Sequence, residues 1–285
     1  MQACLISIYI TCARLEFSTQ NANLQKGGSG VLHNLAERLP HKMLRLLPIL
    51  FWIAIWQVIC KLVGNELLIP SPISTVMKLG EMLQDERLIL NVLYTLARVF
   101  VSTLLCIMAG LVTAIISRFS TVFEELIRPI VSLMKVTPVM AIIILAILWV
   151  RADWVPIFVG FLMGYPIVYT NLLEGLHNLS TELKEVAQVF DISLYKRIRY
   201  IVLPQLKPYI AVTLKLIMTM SWKVVIAAEV LAIPKYAIGY SLMNAKTYLE
   251  TTEIFAWIII IVVMSKAYEI VGCKVIDMCL FRNRK

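Results

Sequence analysis

The sequence predicts an all-α polytopic membrane protein with about six transmembrane helices. The 285 residues are 60% hydrophobic and only 16% charged, a composition too apolar for an ordinary soluble domain. A helix crosses a bilayer with about 20 mostly apolar residues, and it satisfies its own backbone hydrogen bonds there. Basic residues also concentrate in alternate connecting segments, as membrane topology requires. Six stretches have the necessary character: Leu44–Leu62, Val92–Ile116, Ile130–Val150, Val155–Leu173, Ile210–Leu231 and Ile254–Val271.

The net charge of +9 could indicate nucleic-acid binding, but its distribution favours topology. With a cytosolic N-terminus, the inner connections carry most of the basic residues, whereas the outer loops mix fewer of them with acids. The inner set is Arg38, Lys42, Arg45, Arg118, Arg128, Lys184, Lys196, Arg197, Arg199, Lys207, Lys274, Arg282, Arg284 and Lys285. We therefore expect both termini in the cytosol and no nucleic-acid partner.

The first 43 residues are patterned differently from the membrane domain over residues 44–285. Met1–Ala13 is apolar but too short to span a bilayer, and it lacks the basic start of a secretory signal. Gln20–Gly30 is polar and ends in a glycine-rich run typical of a flexible tether. We expect this extension to be weakly ordered and not needed for the protein's function. The six cysteines show no metal-ligand spacing, so we predict no disulfide and no metal site.

A charged, amphipathic segment over residues 174–209 separates the fourth and fifth apolar stretches. Its first part has apolar residues at i, i+3, i+4 and i+7, which is one stripe of a helix. These are Leu183, Val186, Ala187 and Phe190. Ser180 or Thr181 is a suitable N-cap, and Glu182 suits the first turn.

A second helical pattern follows, with Ser193 as its expected cap. Its apolar face comprises Leu194, Ile198, Ile201 and Val202. Pro204 is expected to stop this helix, because proline cannot donate the helical hydrogen bond. Between the two helices, Asp191 occupies a turn that often needs a left-handed backbone, which Asp tolerates better than most residues.

This segment resembles the EAA signature of ABC importer permeases: Glu-Ala-Ala, three residues, Gly, nine residues, Ile-x-Leu-Pro. Glu185, Ala187, Ile201, Leu203 and Pro204 match that signature in order and spacing. Val186 replaces its first alanine and Asp191 replaces its glycine. A helix lying on the lipid surface is the alternative interpretation.

The resemblance extends over most of Leu68–Val275 and indicates the nitrate/sulfonate/taurine-type branch. Similar segments are Ile69-Pro70-Ser71-Pro72, Thr95-Leu96-Ala97-Arg98, Pro138-Val139-Met140-Ala141 with Leu148-Trp149, and Ala228-Glu229 with Ile238-Gly239-Tyr240. The resemblance implies a type I ABC importer permease fold in the bacterial plasma (inner) membrane. It also implies cytosolic ATPase subunits, an extracytoplasmic substrate-binding protein and a second copy of the chain.

In that family the loop forms a coupling helix that seats in the ATPase. By resemblance, Glu185 makes the polar contact, Ala187 allows close packing and Asp191 holds the turn.

The fifth apolar stretch carries the candidate pathway residues. Lys215, Trp222 and Glu229 recur every seven residues near one helix face, with Thr219 close by. Ionisable residues inside membranes tend to face water or a bundle interior. The alternative is structural, with Lys215 reaching the membrane interface and Glu229 pairing with another helix. Arg98 is expected to anchor its helix.

The chain has no phosphate-binding Gly-x-x-x-x-Gly-Lys-Ser/Thr loop and no recognisable catalytic set. We therefore expect a non-catalytic permease that binds no cofactor, with ATP and Mg held by the partner ATPase. The substrate suggested by resemblance is a nitrate-, sulfonate- or taurine-like anion. Alternatives are an ABC permease for a thiamine- or riboflavin-type heterocycle and an ion- or proton-coupled secondary transporter.

Overall fold

The computed structural model describes residues 41–281, and all regular structure in that range is helical. The expectations for residues 1–40 lie outside the described residues. The first described helix, His41–Val63, includes the last three residues of the predicted extension, 41–43. Two compact units divide the chain, one ending at Met77 and one beginning at Lys78.

Eleven α-helices and one π-helical turn make up the described range. They are α1 His41–Val63, α2 Pro72–Met82, α3 Glu86–Phe119, α4 Thr121–Val136, α5 Val139–Trp149, α6 Val155–His177, α7 Thr181–Val189, α8 Leu194–Arg197, the π-helical turn Ile198–Val202, α9 Leu203–Ala232, α10 Ile238–Thr247 and α11 Thr251–Phe281.

Four of the described helical segments are long and apolar enough to cross a membrane: Glu86–Phe119, Val155–His177, Leu194–Ala232 and Thr251–Ile276. The helix α1 contributes a shorter apolar stretch, Leu47–Val63. The predicted third span is not one straight helix, because α4 and α5 meet at an angle of 106°. If this bent pair is one span, five of the six predicted spans have the required length and composition.

The break between α4 and α5 follows from Thr137 and Pro138. Pro138 cannot donate a helical hydrogen bond, and it forces the preceding residue out of the helical region. Thr137 accordingly has φ −71° and ψ 127°. The bend between α4 and α5 was not predicted, because the apolar composition of Ile130–Val150 continues through it.

Small side chains let α6 pack closely between α3 and α9 in the second unit. A Cβ on Gly160 would lie 3.0 Å from Ser102 Cβ of α3 and 3.1 Å from Val225 Cγ2 of α9. A Cβ on Gly164 would lie 2.7 Å from Cys106 Sγ and collide with Ile217. Such close approach through small residues is a common way for membrane helices to associate.

The prediction that Pro204 ends a helix is wrong. The segment Leu194–Ala232 runs through the π-helical turn into α9 as one continuous 39-residue helical stretch. Pro204 follows the π-helical turn almost directly, and this irregularity in the backbone hydrogen bonding accommodates a residue that has no N–H to donate.

Candidate functional site

The helix α7 is the centre of the candidate coupling site, and its start confirms the sequence prediction. Ser180 is the N-cap, and its Oγ accepts a hydrogen bond from the backbone N–H of Leu183 at 3.2 Å. Glu182 lies in the first turn, where a negative charge interacts favourably with the helix dipole.

The apolar stripe of α7 divides between two environments. Ala187 is only 3% exposed, so its small side chain permits close packing within this chain. Val186 is 47% exposed and Phe190 is 74% exposed. The role that resemblance assigns to Ala187, close packing against an ATPase, stays a prediction, and Val186 and Phe190 are the more exposed side chains of the stripe.

The neighbouring turn brings further apolar side chains to the surface. We call the exposed set the coupling surface: Glu185, Val186, Val189, Phe190, Leu194 and Tyr195. These residues lie between the predicted fourth and fifth membrane spans, and protein surfaces in water rarely expose a patch of large apolar side chains unless it is a binding site.

Asp191 has the left-handed backbone that the sequence predicts, with φ 44°. The chain reverses here, and the N–H of Ile192 donates to the carbonyl of Ala187 at 3.0 Å. The replacement of glycine by aspartate therefore preserves the turn and adds an exposed carboxylate beside the coupling surface.

Gln205 connects the two ends of this segment, a role that motif matching missed. Its Oε1 accepts a hydrogen bond from the backbone N–H of Ser180 at 2.9 Å. Its Nε2 donates to the carbonyl of Ile201 in the π-helical turn at 3.0 Å. The available signal was an amide side chain directly after Pro204, where backbone hydrogen bonding is incomplete. Of the remaining motif residues, Leu203 and Pro204 are exposed and Ile201 is half-buried.

A buried ionic network lies at the other end of α9. Glu229 is fully buried, and its Oε1 accepts a hydrogen bond from Arg98 Nη1 at 2.9 Å. Thr95 Oγ1 lies 2.9 Å from Glu229 Oε2, which also accepts from the backbone N–H of Gly239 at 3.2 Å. Arg98 further donates to the carbonyl of Tyr236. The network thus joins α3, α9 and the start of α10.

The four predicted pathway residues of α9 therefore lie in two different environments, buried and exposed. Trp222 is 1% exposed and stacks on Tyr268 with ring centroids 6.1 Å apart, and Glu229 pairs with another helix. Both side chains are buried within the chain, and their role in the pathway stays a prediction.

Among the polar side chains of α9, Lys215 and Lys223 are exposed, and Thr219 is one of four that are partly exposed. Lys223 is outside the sequence-predicted set because that set follows a spacing of seven residues, whereas Lys215, Thr219 and Lys223 follow one another at intervals of four.

Comparison with known proteins adds the family. Residues 106–270 match the family described as "Binding-protein-dependent transport system inner membrane component". The chain is 30% identical over 217 residues to the "Putative aliphatic sulfonates transport permease protein SsuC" of Bacillus subtilis, covering 75% of this chain and 78% of that protein. It is 25% identical over 217 residues to the nitrate import permease protein NrtB of Leptolyngbya laminosa, covering 73% and 76% of the two chains.

A third similar protein is the bicarbonate transport system permease protein CmpB of Synechococcus elongatus. It is 23% identical over 219 residues, which cover 73% of this chain and 79% of that one. The family match covers more than half of the chain and includes α7, the π-helical turn and α9. The chain accordingly belongs to the binding-protein-dependent transport system inner membrane components, the permease subunits of ABC importers.

Proposed function

We propose that this chain forms the translocation pathway of an ATP-driven importer for a small anion, and that a cytosolic ATPase drives it by binding the coupling surface. The observation that carries the proposal is the exposure of that surface at the position of the family's coupling motif. Phe190 and Val189 are 74% and 81% exposed, although both are apolar. A protein partner would remove this apolar area from water.

The charge of Glu185 favours a protein partner over lipid. Its carboxylate is exposed beside Val186, on the same helix as the large apolar side chains. The cytoplasmic face of a membrane is negatively charged, so it repels a carboxylate at this position. A basic or hydrogen-bonding cleft in an ATPase would instead complement it.

The permease itself is a non-catalytic subunit in this proposal. ATP and Mg are held by two ATPase subunits in the cytosol, and a second copy of this chain completes the membrane part. Closure of the ATPase pair displaces the two coupling surfaces and shifts the pathway between inward- and outward-facing states. An extracytoplasmic binding protein delivers the solute, and both termini of the permease lie in the cytosol of a bacterium.

The proposed substrate class comes from the relatives. Their names specify aliphatic sulfonates, nitrate and bicarbonate, which differ in shape but share a negative charge spread over oxygen atoms. A small oxyanion is therefore the solute class that all three relatives support.

The test reconstitutes the permease with its ATPase and binding protein in vesicles and measures ATP hydrolysis together with uptake of ethanesulfonate, nitrate and bicarbonate. We expect Glu185→Arg to abolish uptake and the stimulation of hydrolysis while the protein stays in the membrane. Glu86→Arg is the control, because Glu86 is an exposed carboxylate in the first turn of α3 and lies far from the coupling surface in the sequence. Full activity of Glu185→Arg would contradict the proposal.

A further inference from the structure

We propose that Lys223, with Lys215 and Thr219, forms a cationic strip along an aqueous path through the membrane and that Lys223 selects for anions. The inference deepens the proposed function and rests on it for the existence of a path. It goes further by identifying the face of α9 that borders the path and the residue that sets its charge preference.

The three residues share one side of α9. They follow one another at intervals of four residues, which places successive side chains on the same face about 6 Å apart along the helix axis. Lys215 and Lys223 are exposed, and Thr219 between them is partly exposed. The Thr219 hydroxyl donates to the carbonyl of Lys215 at 3.1 Å, which leaves its oxygen lone pairs on the surface side of the helix.

Lys223 lies too deep in the predicted fifth span, Ile210–Leu231, for its charge to reach a membrane surface. It lies eight residues before Leu231, about 12 Å along the helix axis, and thirteen residues after Ile210, about 20 Å. A lysine has only a four-carbon stem, so the Lys223 ammonium group cannot leave the membrane interior from this depth. Lys215 lies nearer the start of the span, five residues or about 8 Å after Ile210.

Facing lipid at this depth is energetically unfavourable. A lysine at the centre of a membrane helix costs about 2.5–3.5 kcal/mol even on the lowest scales, and this cost applies to Lys223. Exposed intramembrane lysines therefore indicate a face that borders water or another protein surface.

A second copy of the chain does not offer an acidic partner at this depth. In the described part of the membrane helices, Glu229 is buried with Arg98 and Glu269 is paired with Lys266 at 3.0 Å. Glu174 and Glu253 lie within four residues of the ends of α6 and α11. Two such strips facing each other would repel unless water and anions lay between them.

The chemistry of the strip suits a mobile oxyanion. An ammonium group is a compact, hydrated point charge, and a hydroxyl can donate to or accept from an anion or its water. The two lysines are separated by about 12 Å along the helix, which gives two weak sites instead of one tight cage. Sites of this kind let a solute bind and then leave, as conduction requires.

The test places a thiol at the middle of the strip by Thr219→Cys, with the six native cysteines replaced. The complete transporter in vesicles is treated with anionic sulfonatoethyl methanethiosulfonate and with cationic trimethylammonioethyl methanethiosulfonate. After correction for intrinsic reactivity, we expect the anionic reagent to react about tenfold faster, because clefts of one charge concentrate the opposite ion. Lys223→Gln should abolish this preference, and Lys223→Arg should retain it.

The matched control is Leu105→Cys, an exposed position near the middle of α3 that should react with neither reagent. Absence of reaction at Thr219→Cys, or a reagent preference that Lys223→Gln leaves unchanged, would overturn the inference. Labelling needs neither ATP hydrolysis nor a known substrate. Its failure would therefore leave the ATPase proposal standing, and a failure of the Glu185 test would not alter the labelling ratio.

Discussion

Glu229 is a buried charge inside a membrane helix, and other groups of the same chain bind its carboxylate. Its carboxylate is fully buried and receives hydrogen bonds from Arg98, Thr95 and the backbone of Gly239. Asp153 approaches the same guanidinium at 3.5 Å and is itself more than half exposed. Removing Arg98 leaves the buried Glu229 without a counter-charge, and removing Glu229 leaves Arg98 with only the more distant and more exposed Asp153.

Single replacement of either member should therefore be strongly destabilising. We expect Arg98→Met or Glu229→Met to lower the free energy of unfolding in mixed micelles by about 3–5 kcal/mol, and the double variant to lose much less. Lys78→Met is the control, because Lys78 makes longer contacts of 3.6–3.9 Å with exposed or partly exposed carboxylates. Additive losses in the double variant would show that the two charges are not coupled.

Asp191 gives a prediction about backbone conformation. Glycine adopts a φ of 44° without strain, whereas a β-branched residue is strained there. We expect Asp191→Gly to retain coupled ATP hydrolysis. Asp191→Val should destabilise the turn by about 1–2 kcal/mol and accelerate amide hydrogen exchange in α7. Equal exchange rates in the two variants would argue against the left-handed turn.

The residue-level predictions succeeded where the cause is local. The cap at Ser180 and the turn at Asp191 depend on a few neighbouring backbone atoms, so residue type and spacing suffice. Trp222 and Glu229 differ, because their burial is set by α3 and α11, which lie far away in the sequence. Helical periodicity identifies residues that share a face, but it does not say which face the other helices cover.

Among the elements, the Gln205 side chain links the start of α7 to the π-helical turn through two hydrogen bonds, which we call the Gln205 brace. We expect Gln205→Leu to remove both hydrogen bonds, at about 1 kcal/mol each, and to loosen α7 relative to α9. The measurement is amide exchange in α7 together with the ratio of solute imported to ATP hydrolysed, which should fall. Gln84→Leu, at an exposed amide before α3, should change neither quantity. A normal ratio in Gln205→Leu would mean that the brace is dispensable.

Close packing of α6 can be tested at Gly164. A methyl group there would collide with Ile217 and crowd Cys106, so Gly164→Ala should cost about 1–3 kcal/mol through overpacking. Gly80→Ala in α2 is the matched control, since a Cβ there meets nothing within 4 Å. That change should stabilise the protein by about 0.5–1 kcal/mol through helix propensity. Equal effects of the two substitutions would contradict the packing described.

The sequence predicted where the membrane helices lie better than it predicted whether each helix is continuous. Apolar composition located the membrane helices, because a helix in contact with lipid needs about 20 mostly apolar residues. Proline was harder to interpret. Pro138 accompanies a 106° corner, whereas Pro204 lies within a continuous 39-residue helical stretch. The difference lies in neighbouring structure, a π-helical turn before Pro204 and an extended Thr137 before Pro138.

Across the second unit, one helical stretch connects the features discussed above. Leu194–Ala232 carries part of the coupling surface at one end, the lysine strip in its middle and Glu229 near its other end. A packed helix of this length moves largely as a rigid body, so displacement at the coupling surface is expected to reach the strip. The buried Arg98–Glu229 pair would hold the far end against α3 during that movement.

We expect an ATPase to bind the coupling surface, and the most direct test is site-specific crosslinking at Phe190. A thiol introduced by Phe190→Cys, with the other cysteines of this chain replaced, is labelled in native membranes with a short maleimide–diazirine reagent. Irradiation, with and without a non-hydrolysable ATP analogue, then inserts the carbene into whichever molecule contacts position 190. The account predicts one major crosslinked product that contains a nucleotide-hydrolysing subunit, with a yield that changes with nucleotide. Exclusive modification by lipid-soluble reagents, with no ATPase captured in either condition, would contradict it.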